Sequence, residues 1–336
     1  AEGKNPFSLD SKEPTADYIE FIKSENESTK LPLVDGTMMD YVPARRIAIP
    51  VNKENAVKSG IVKEEDYDLM VDTVYINIAE RKQRIEKSEM MLLDLLANFD
   101  WNRPISFTQV YILQDFGLLD YLQFDGYAYR LVPILTPYRS AWDIGRIDTD
   151  VTYPLLKDVF RYGNLAEEGV HADHFTQYNL SASRARESFA RVAKQLIAEG
   201  KEDKALELLD RGLEVLPSPK IRYSDANTYP FIEGYYTLGE WEKGDDLMQH
   251  YLQTLIEYIE YYLQFDGMQA NLVGNIVQEK MDSLFELYYL AAYAQRDDIV
   301  RSLNDYLRTF GYTDDELIQP GSDPDELMDG SPLEME

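Results

Sequence analysis

Residues 98–134 read NFDWNRPISFTQVYILQDFGLLDYLQFDGYAYRLVPI, and this stretch decides the fold of the first half of the chain. An apolar helix is predicted to end before Pro104, because a proline disfavours helical geometry at the residue that precedes it. The pattern then predicts a strand over 105–112, a short helix closed by Asp125-Gly126, and a second strand over 127–134.

The turn at 100–104 predicts structural roles for its side chains. Asp100 and Arg103 are placed to form an ion pair, and Trp101 is expected to be buried. An inward-facing Arg130 requires a carboxylate partner, and either Asp100 or Asp125 can supply it. The residues of this segment that we single out as structural are Asp100, Trp101, Arg103, Pro104, Asp125, Gly126, Arg130 and Pro133.

The composition excludes several classes of function. The 336 residues carry a net charge of −28, which repels nucleic acid phosphates and anionic lipid. Neither nucleic acid nor a membrane surface is therefore a predicted direct partner. The absence of cysteine excludes disulfides, Cys-ligated metals and thiol catalysis. No apolar run approaches the roughly 20 residues that span a bilayer.

Periodicity and punctuation divide the chain into four parts. An extended lead-in is predicted over residues 1–44. A small α+β domain over 45–150 has strands at 45–51 and 73–78 and a helix at 84–99. A helical domain is predicted over 151–312. An acidic, proline-containing tail over 313–336 is predicted to be disordered.

Three helix pairs are predicted in the second half, at 182–200 with 202–216, 229–238 with 241–265, and 277–295 with 297–310. The first pair fits the spacing of a tetratricopeptide repeat at Phe189, Ala193, Leu196, Gly200, Ala205, Leu209, Gly212 and Pro217. The second pair has Gly244 where alanine is expected. We predict a short tetratricopeptide-like solenoid; an irregular helical bundle is the alternative.

Tyrosines at helical spacing in this half form a candidate binding surface for a peptide or a sugar. They are Tyr235, Tyr236, Tyr251, Tyr258 and Tyr262. The alternative is that they are core residues, because tyrosine can bury its ring and keep its hydroxyl in contact with water.

The hexapeptide YLQFDG occurs twice, at 121–126 and at 262–267. It is either a duplicated ligand loop or a pair of helix ends in which glycine adopts the left-handed conformation. We favour the two helix ends, since the sequences around the copies differ.

Candidate metal and catalytic motifs are weak. Asp148-Thr149-Asp150 has the D-x-D form of some sugar transferases, but Asp150 or Thr152 is better interpreted as a helix N-cap. His171 and His174 lack a third ligand at a supporting spacing. The chain has no nucleophile elbow and no phosphate-binding glycine loop. We predict no metal, no cofactor and no catalytic residue.

Three motifs and the single good repeat together resemble one family. The motifs are DWNRPI at 100–105, YLQFDG at 121–126 and YRLVPI at 129–134. They resemble the soluble C-terminal region of large bacteroidete membrane proteins of unknown function. The multi-spanning part of those proteins is similar to protein O-mannosyltransferase-type, GT-C-like glycosyltransferases.

The resemblance implies a location and a role. The parent would be an inner-membrane protein with this region on the periplasmic face, and the catalytic acid would lie in a loop of the membrane part. We therefore expect a non-catalytic domain that binds an acceptor protein or a partner subunit. The alternative is a free-standing periplasmic protein that binds or processes glycans.

Overall fold

The computed structural model describes residues 15–138, 140, 143–173, 175, 181–218 and 220–321, and it leaves the side chains of residues 181–183 undescribed. The chain divides into two compact units, Ala1–Leu155 and Leu156–Glu336. The first unit combines short antiparallel sheets with helices, and the second is helical. The predicted fold class is confirmed at this level.

Three small antiparallel sheets organise the N-terminal unit. The first pairs β1 (Lys30–Pro32) with β2 (Met38–Asp40), and the second pairs β3 (Arg46–Pro50) with β4 (Thr73–Asn77). The third has the order β5-β7-β6, from β5 (Ser106–Phe107), β6 (Leu122–Phe124) and β7 (Tyr129–Leu131). The helices of this unit are α1 (Thr15–Lys23), α2 (Lys53–Lys58), α3 (Lys87–Ala97), α4 (Tyr111–Gln114) and α5 (Thr149–Pro154).

The predicted extended lead-in is wrong for residues 15–40, which contain α1 and the β1–β2 hairpin. Helix α1 buries Tyr18, Ile19 and Phe21, and Thr15 donates a hydrogen bond of 2.7 Å to the carbonyl of Ala48. A helix of nine residues is too short to show a reliable period in sequence, so burial against the core identifies it. Residues 1–14 of the lead-in lie outside the described residues.

Only some of the elements predicted for residues 98–134 are present in the structure. The predicted strand over 105–112 is limited to β5, and α4 follows it directly. The predicted helix before Asp125-Gly126 is wrong, because residues 122–124 form strand β6. Gly126 has a φ of +90° and lies in the turn between β6 and β7. The predicted second strand contributes β7 at its centre.

Over the described residues, the helical unit contains the three predicted pairs of helices, but the first helix of the third pair begins at Gly267, ten residues before its predicted start. A π-helical turn, Leu155–Val159, continues from α5. The helices are α6 (Ser181–Ala198), α7 (Glu202–Val215), α8 (Asp225–Thr237), α9 (Trp241–Tyr262), α10 (Gly267–Tyr293) and α11 (Asp297–Arg308). Gly200 and Gly239, both at positive φ, follow α6 and α8, as expected of glycine just beyond a helix end.

Small residues permit close packing of α6, α7 and α8. Phe189 and Leu209 are fully buried, and a Cβ atom added to Gly212 would lie 3.0 Å from the Phe189 and Phe231 rings. A Cβ atom added to Gly234 would lie 2.9 Å from Leu209. Close packing alone therefore explains why glycine occupies positions 212 and 234. The relationship to tetratricopeptide repeats stays a prediction.

The predicted disordered tail is wrong for its first nine residues. Leu317 is buried, and the backbone amide of Ile318 donates to the hydroxyl of Tyr288 at 2.6 Å. Asn304 donates to the carbonyl of Ile318 at 3.0 Å. An apolar pair within an acidic segment is sufficient to anchor it on α10 and α11. Residues 322–336 lie outside the described residues.

Candidate functional site

Three of the five candidate binding tyrosines are core residues. Tyr235, Tyr236 and Tyr251 are almost fully buried, and each hydroxyl donates to an aspartate carboxylate. For these three tyrosines, the alternative interpretation as core residues therefore applies. We call these contacts the tyrosine braces, since each aspartate also binds a side chain from another helix or its flanking residue.

The braces connect helices that are not all neighbours in sequence. Asp210 accepts from Tyr235 at 3.0 Å and from Lys243 at 2.7 Å. Asp245 accepts from Tyr236 at 2.9 Å and from Arg296 at 2.8 Å.

In the third brace, Asp225 accepts from Tyr251 and, at 2.7 Å, from Ser283. Burial, together with the neighbouring carboxylate, raises the pKa of Tyr235, Tyr236 and Tyr251 well above the usual value of tyrosine.

The other two tyrosines lie at the surface. Tyr258 and Tyr262 are half-buried and their rings stack, with centroids 6.3 Å apart and an interplanar angle of 10°. They lie near the end of α9, where a short turn leads into α10. Tyr261 and Phe265 meet edge to face at 5.5 Å on the same end.

The aromatic end of α9 and the first part of α10 form an exposed apolar surface, which we call the hairpin tip (residues 258–276). Tyr261 is 56% exposed, Met268 80% and Leu272 75%. The buried side chains of α10 all lie from Ser283 onward. Large apolar side chains clustered on an exposed surface indicate an interaction site more often than single ones do.

A groove of about 520 Å³ lies beside the tip, and Tyr258 and Tyr261 line it together with Arg222 and Glu257. Arg222 donates a hydrogen bond to the hydroxyl of Tyr258. The groove therefore extends the aromatic surface toward the segment between α7 and α8.

Sequence reasoning missed Met268 and Leu272. A signal was present: Met268 and Leu272 are four residues apart, which places them on one face of a helix. The charge pattern was also visible. Residues 251–278 contain three acidic side chains and no lysine, arginine or histidine.

In the N-terminal unit, the motif residues divide into a partly buried ion pair and a polar network. Arg130 donates to both carboxylate oxygens of Asp125, at 2.8 and 3.0 Å, and to the carbonyl of Gly60 at 2.7 Å. Asp125 is one of the two partners predicted for Arg130. Pro133 is buried, and its carbonyl accepts from the amide of Val71 at 2.9 Å.

The predicted pairing of Asp100 with Arg103 is wrong. Asp100 accepts from the side-chain amides of Asn52 at 3.0 Å and Asn55 at 2.7 Å. Arg103 and Pro104 are exposed. Two amide donors from α2 satisfy the carboxylate better than a flexible arginine on the same turn, because their positions are fixed by the N-cap that Asn52 forms.

Trp101 is fully buried, as predicted, and has an unusual backbone conformation with φ of +56°. A left-handed conformation at a residue other than glycine costs about 1–3 kcal/mol. Its indole donates to the carbonyl of Pro50 at 2.8 Å, and its own carbonyl accepts from Ser59 at 2.9 Å. These two bonds and the burial of the ring offset the strain and hold Asp100 at the surface.

A cleft of about 650 Å³ opens next to Asp100, and we call it the motif cleft. The start of α2, with Asn52 and Lys53, forms one wall. The end of α3, with Asn98 and Asp100, forms another, and Tyr67 lies across from it. The cleft therefore joins the motif turn to residues that are far away in sequence.

The weaker motifs have structural explanations. Asp148 caps α5 by accepting from the amide of Asp150 at 3.1 Å, so the predicted cap at Asp150 or Thr152 is displaced by two residues or more. Asp148 also pairs with Lys63 at 2.8 Å. His171 is exposed, and His174 lies outside the described residues.

Within the part of the chain that the structure describes, no group of three or more histidine, aspartate or glutamate side chains is arranged to hold a metal ion. Over the same residues, none of the helices has the length and apolar character needed to cross a membrane.

Comparison with known proteins gives one match. Residues 4–151 match the family model TMEM260-associated domain 2. The match covers less than half of the chain and includes the motif segment and the motif cleft. No curated protein and no solved structure matches the chain. The N-terminal unit is thus similar to a domain associated with TMEM260.

Proposed function

We propose that this chain is a non-catalytic, partner-binding region of a membrane protein related to lipid-sugar-dependent glycosyltransferases. The match to TMEM260-associated domain 2 supports the relationship. On this proposal the region faces the periplasm at the inner membrane, and its partner is an acceptor protein or a second subunit.

The exposed apolar surface of the hairpin tip is the observation that best supports a binding role. Tyr261, Met268 and Leu272 expose large apolar side chains on two adjoining helix ends. Aromatic and methionine side chains are enriched in protein interfaces, where their burial supplies most of the binding free energy. The tip is thus suited to an apolar protein surface.

The charge of the tip defines the partner further. Glu257, Glu260 and Asp266 belong to the same segment as the apolar residues, and the sequence has no basic residue between positions 251 and 278. The adjoining groove contains Arg222, which is bonded to the Tyr258 hydroxyl. Such a surface attracts a partner whose apolar residues are flanked by lysine or arginine. It repels a second copy of this acidic chain and an anionic lipid surface.

Site-specific photo-crosslinking in living cells tests this proposal. A photoreactive amino acid replaces Tyr261 or Leu272 in the full-length protein, and Tyr293, an exposed aromatic residue at the other end of α10, serves as the control position. We expect a discrete crosslinked protein from positions 261 and 272 and none from position 293.

The acidic residues of the hairpin tip provide a second test in the same experiment. In the triple variant Glu257→Gln, Glu260→Gln and Asp266→Asn, the crosslinking yield is expected to fall about tenfold, which corresponds to about 1.4 kcal/mol. Three results would contradict the proposal. They are crosslinks only to lipid, an equal crosslinking yield at position 293, and a yield that the triple variant leaves unchanged.

A further inference from the structure

The motif cleft has no role in the proposed partner binding, which concerns the helical unit. Its volume of about 650 Å³ lies within the range of about 300–1,000 Å³ typical of small-ligand sites. Its walls come from α2, α3 and the segment around Tyr67, so three separate parts of the fold converge on it.

The polar groups of the cleft are held in place before any ligand enters. Asn52 and Asn55 donate to Asp100 at 3.0 and 2.7 Å, and the oxygen of Asn52 accepts from the backbone amide of Asn55 at 3.1 Å. On the same helix, Lys53 pairs at 2.8 Å with Asp72, whose side chain is largely exposed. The fixed network of Asn52, Asn55 and Asp100 loses little entropy on binding, which favours recognition.

The Asp100 carboxylate keeps capacity for a ligand. A carboxylate has about four acceptor positions, and two side-chain amides occupy one on each oxygen. Asp100 is exposed at the cleft wall, and its position is fixed by the strained, buried Trp101 that follows it.

The ring of Tyr67 supplies the apolar part of the site. It is 42% exposed and lies beside Lys53, whose Nζ atom is 6.0 Å from the ring centroid. A tyrosine ring in a polar cleft offers a flat apolar face to a ligand that also forms hydrogen bonds.

We infer that the motif cleft binds a neutral saccharide. Hydroxyl groups of a sugar both donate and accept, and the lining of the cleft includes the acceptor Asp100, the donor Lys53 and the aromatic ring of Tyr67. The side-chain amide of Asn98, which donates one hydrogen to the carbonyl of Asp94 at 2.9 Å, has a second hydrogen to offer. Glu54, Asp72 and Asp100 outnumber the single lysine, which disfavours phosphorylated or other anionic ligands.

Saturation-transfer NMR with the full chain tests the inference. The probes are methyl α-mannopyranoside, methyl β-galactopyranoside and maltose at about 10 mM, a concentration that detects even a millimolar Kd, with glucuronate as the anionic comparison. We expect transfer to at least one neutral sugar and none to glucuronate.

Two variants and one control locate the binding. Tyr67→Ala removes the exposed ring and is expected to weaken binding about tenfold or more. Asp100→Ala is expected to do the same, with the thermal midpoint measured because Asp100 also binds α2. Tyr111→Ala removes a tyrosine that is 75% exposed in the same unit and outside the cleft, and it should leave binding unchanged.

The inference is overturned by any of three results: no transfer to all three neutral sugars, equal transfer to glucuronate, or unchanged binding in Tyr67→Ala. None of these results bears on the hairpin tip, so partner binding by the helical unit can fail or succeed separately.

Discussion

Gly244 shows how one residue determines the packing of two helices. It occupies a position where the repeat pattern predicts alanine, and in the structure the ring of Tyr236 lies directly against it. A Cβ atom there would be 2.6 Å from Cδ1 of that ring and still closer to Cε1. Tyr236 cannot move away easily, because Asp245 binds its hydroxyl.

We predict that Gly244→Ala destabilises the helical unit by about 1–3 kcal/mol through overpacking. Gly274→Ala is the matched control: Gly274 also lies within a helix, but a Cβ atom added there meets no other atom within 4 Å. That control should stabilise the protein by about 0.5–1 kcal/mol, since alanine favours helix. Urea unfolding measures both, and equal effects of the two changes would exclude the packing explanation.

Some residue-level features of the N-terminal unit were predictable and others were not. The burial of Trp101 and the need of Arg130 for a carboxylate follow from residue type and local pattern. The partners of Asp100 do not, because Asn52 and Asn55 lie more than 40 positions earlier in the chain. The local sequence predicted an ion pair with Arg103, whereas the packing of distant segments places Asn52 and Asn55 beside Asp100.

At the scale of elements, the repeated hexapeptide is the clearest case of context deciding structure. Residues 121–126 contribute strand β6 and a turn, whereas residues 262–267 end α9 and begin α10. The same six-residue sequence therefore adopts two backbone conformations. Strand β6 is buried on both faces, so its sequence lacks the alternation that identifies a strand.

Helix α10 consists of two parts with different surroundings. Its buried side chains begin at Ser283, and the preceding residues expose Met268 and Leu272. Helical segments without buried contacts open more readily, because packing and not propensity supplies most of their stability.

We predict that amide hydrogens in residues 270–280 exchange faster than those in residues 284–292. Hydrogen exchange followed by mass spectrometry on peptides from the two parts measures this directly. Helix α6, which is amphipathic and packs against α7 and α8, provides the protected reference. Equal protection throughout α10 would mean that the hairpin tip is already covered by another surface.

At the scale of the whole chain, helices were predicted better than strands. Helices α6, α7 and α11 show strong apolar periodicity over ten residues or more, which tertiary context rarely overrides. The periodicity of α10 is weaker, and its start was predicted ten residues too late. The strands of the third sheet contain two or three residues each, too few for a period to be recognised. The sequence did not separate the buried Tyr235, Tyr236 and Tyr251 from the surface tyrosines, since periodicity does not distinguish a buried ring from a surface ring.

Buried tyrosines give the protein a defined response to alkaline pH. Burial raises the pKa of Tyr288 to about 12, and the three braces are shifted in the same direction. In the unfolded chain these groups ionise near pKa 10. Above that pH the unfolded state loses protons first, so the stability that the tyrosines provide is complete below about pH 10 and is lost progressively above it.

We therefore predict that the urea midpoint falls as the pH is raised above about pH 10, together with the appearance of tyrosinate absorbance on unfolding. Tyr251→Phe should show a shallower fall, because one shifted group is removed. Tyr111→Phe, which changes an exposed residue, should retain the slope of the unmodified protein. A slope that is the same in all three proteins would assign the alkaline loss to other groups.

The tyrosine braces also limit how the helical unit can change in length. The sequence intervals that they span overlap: 210–243, 225–283 and 236–296. Every chain break between positions 210 and 296 separates the members of at least one brace. A simple stack of repeats can gain or lose a unit at little cost. In this protein the overlapping braces couple all three helix pairs, so a duplication or deletion of one pair would break a contact in its neighbour.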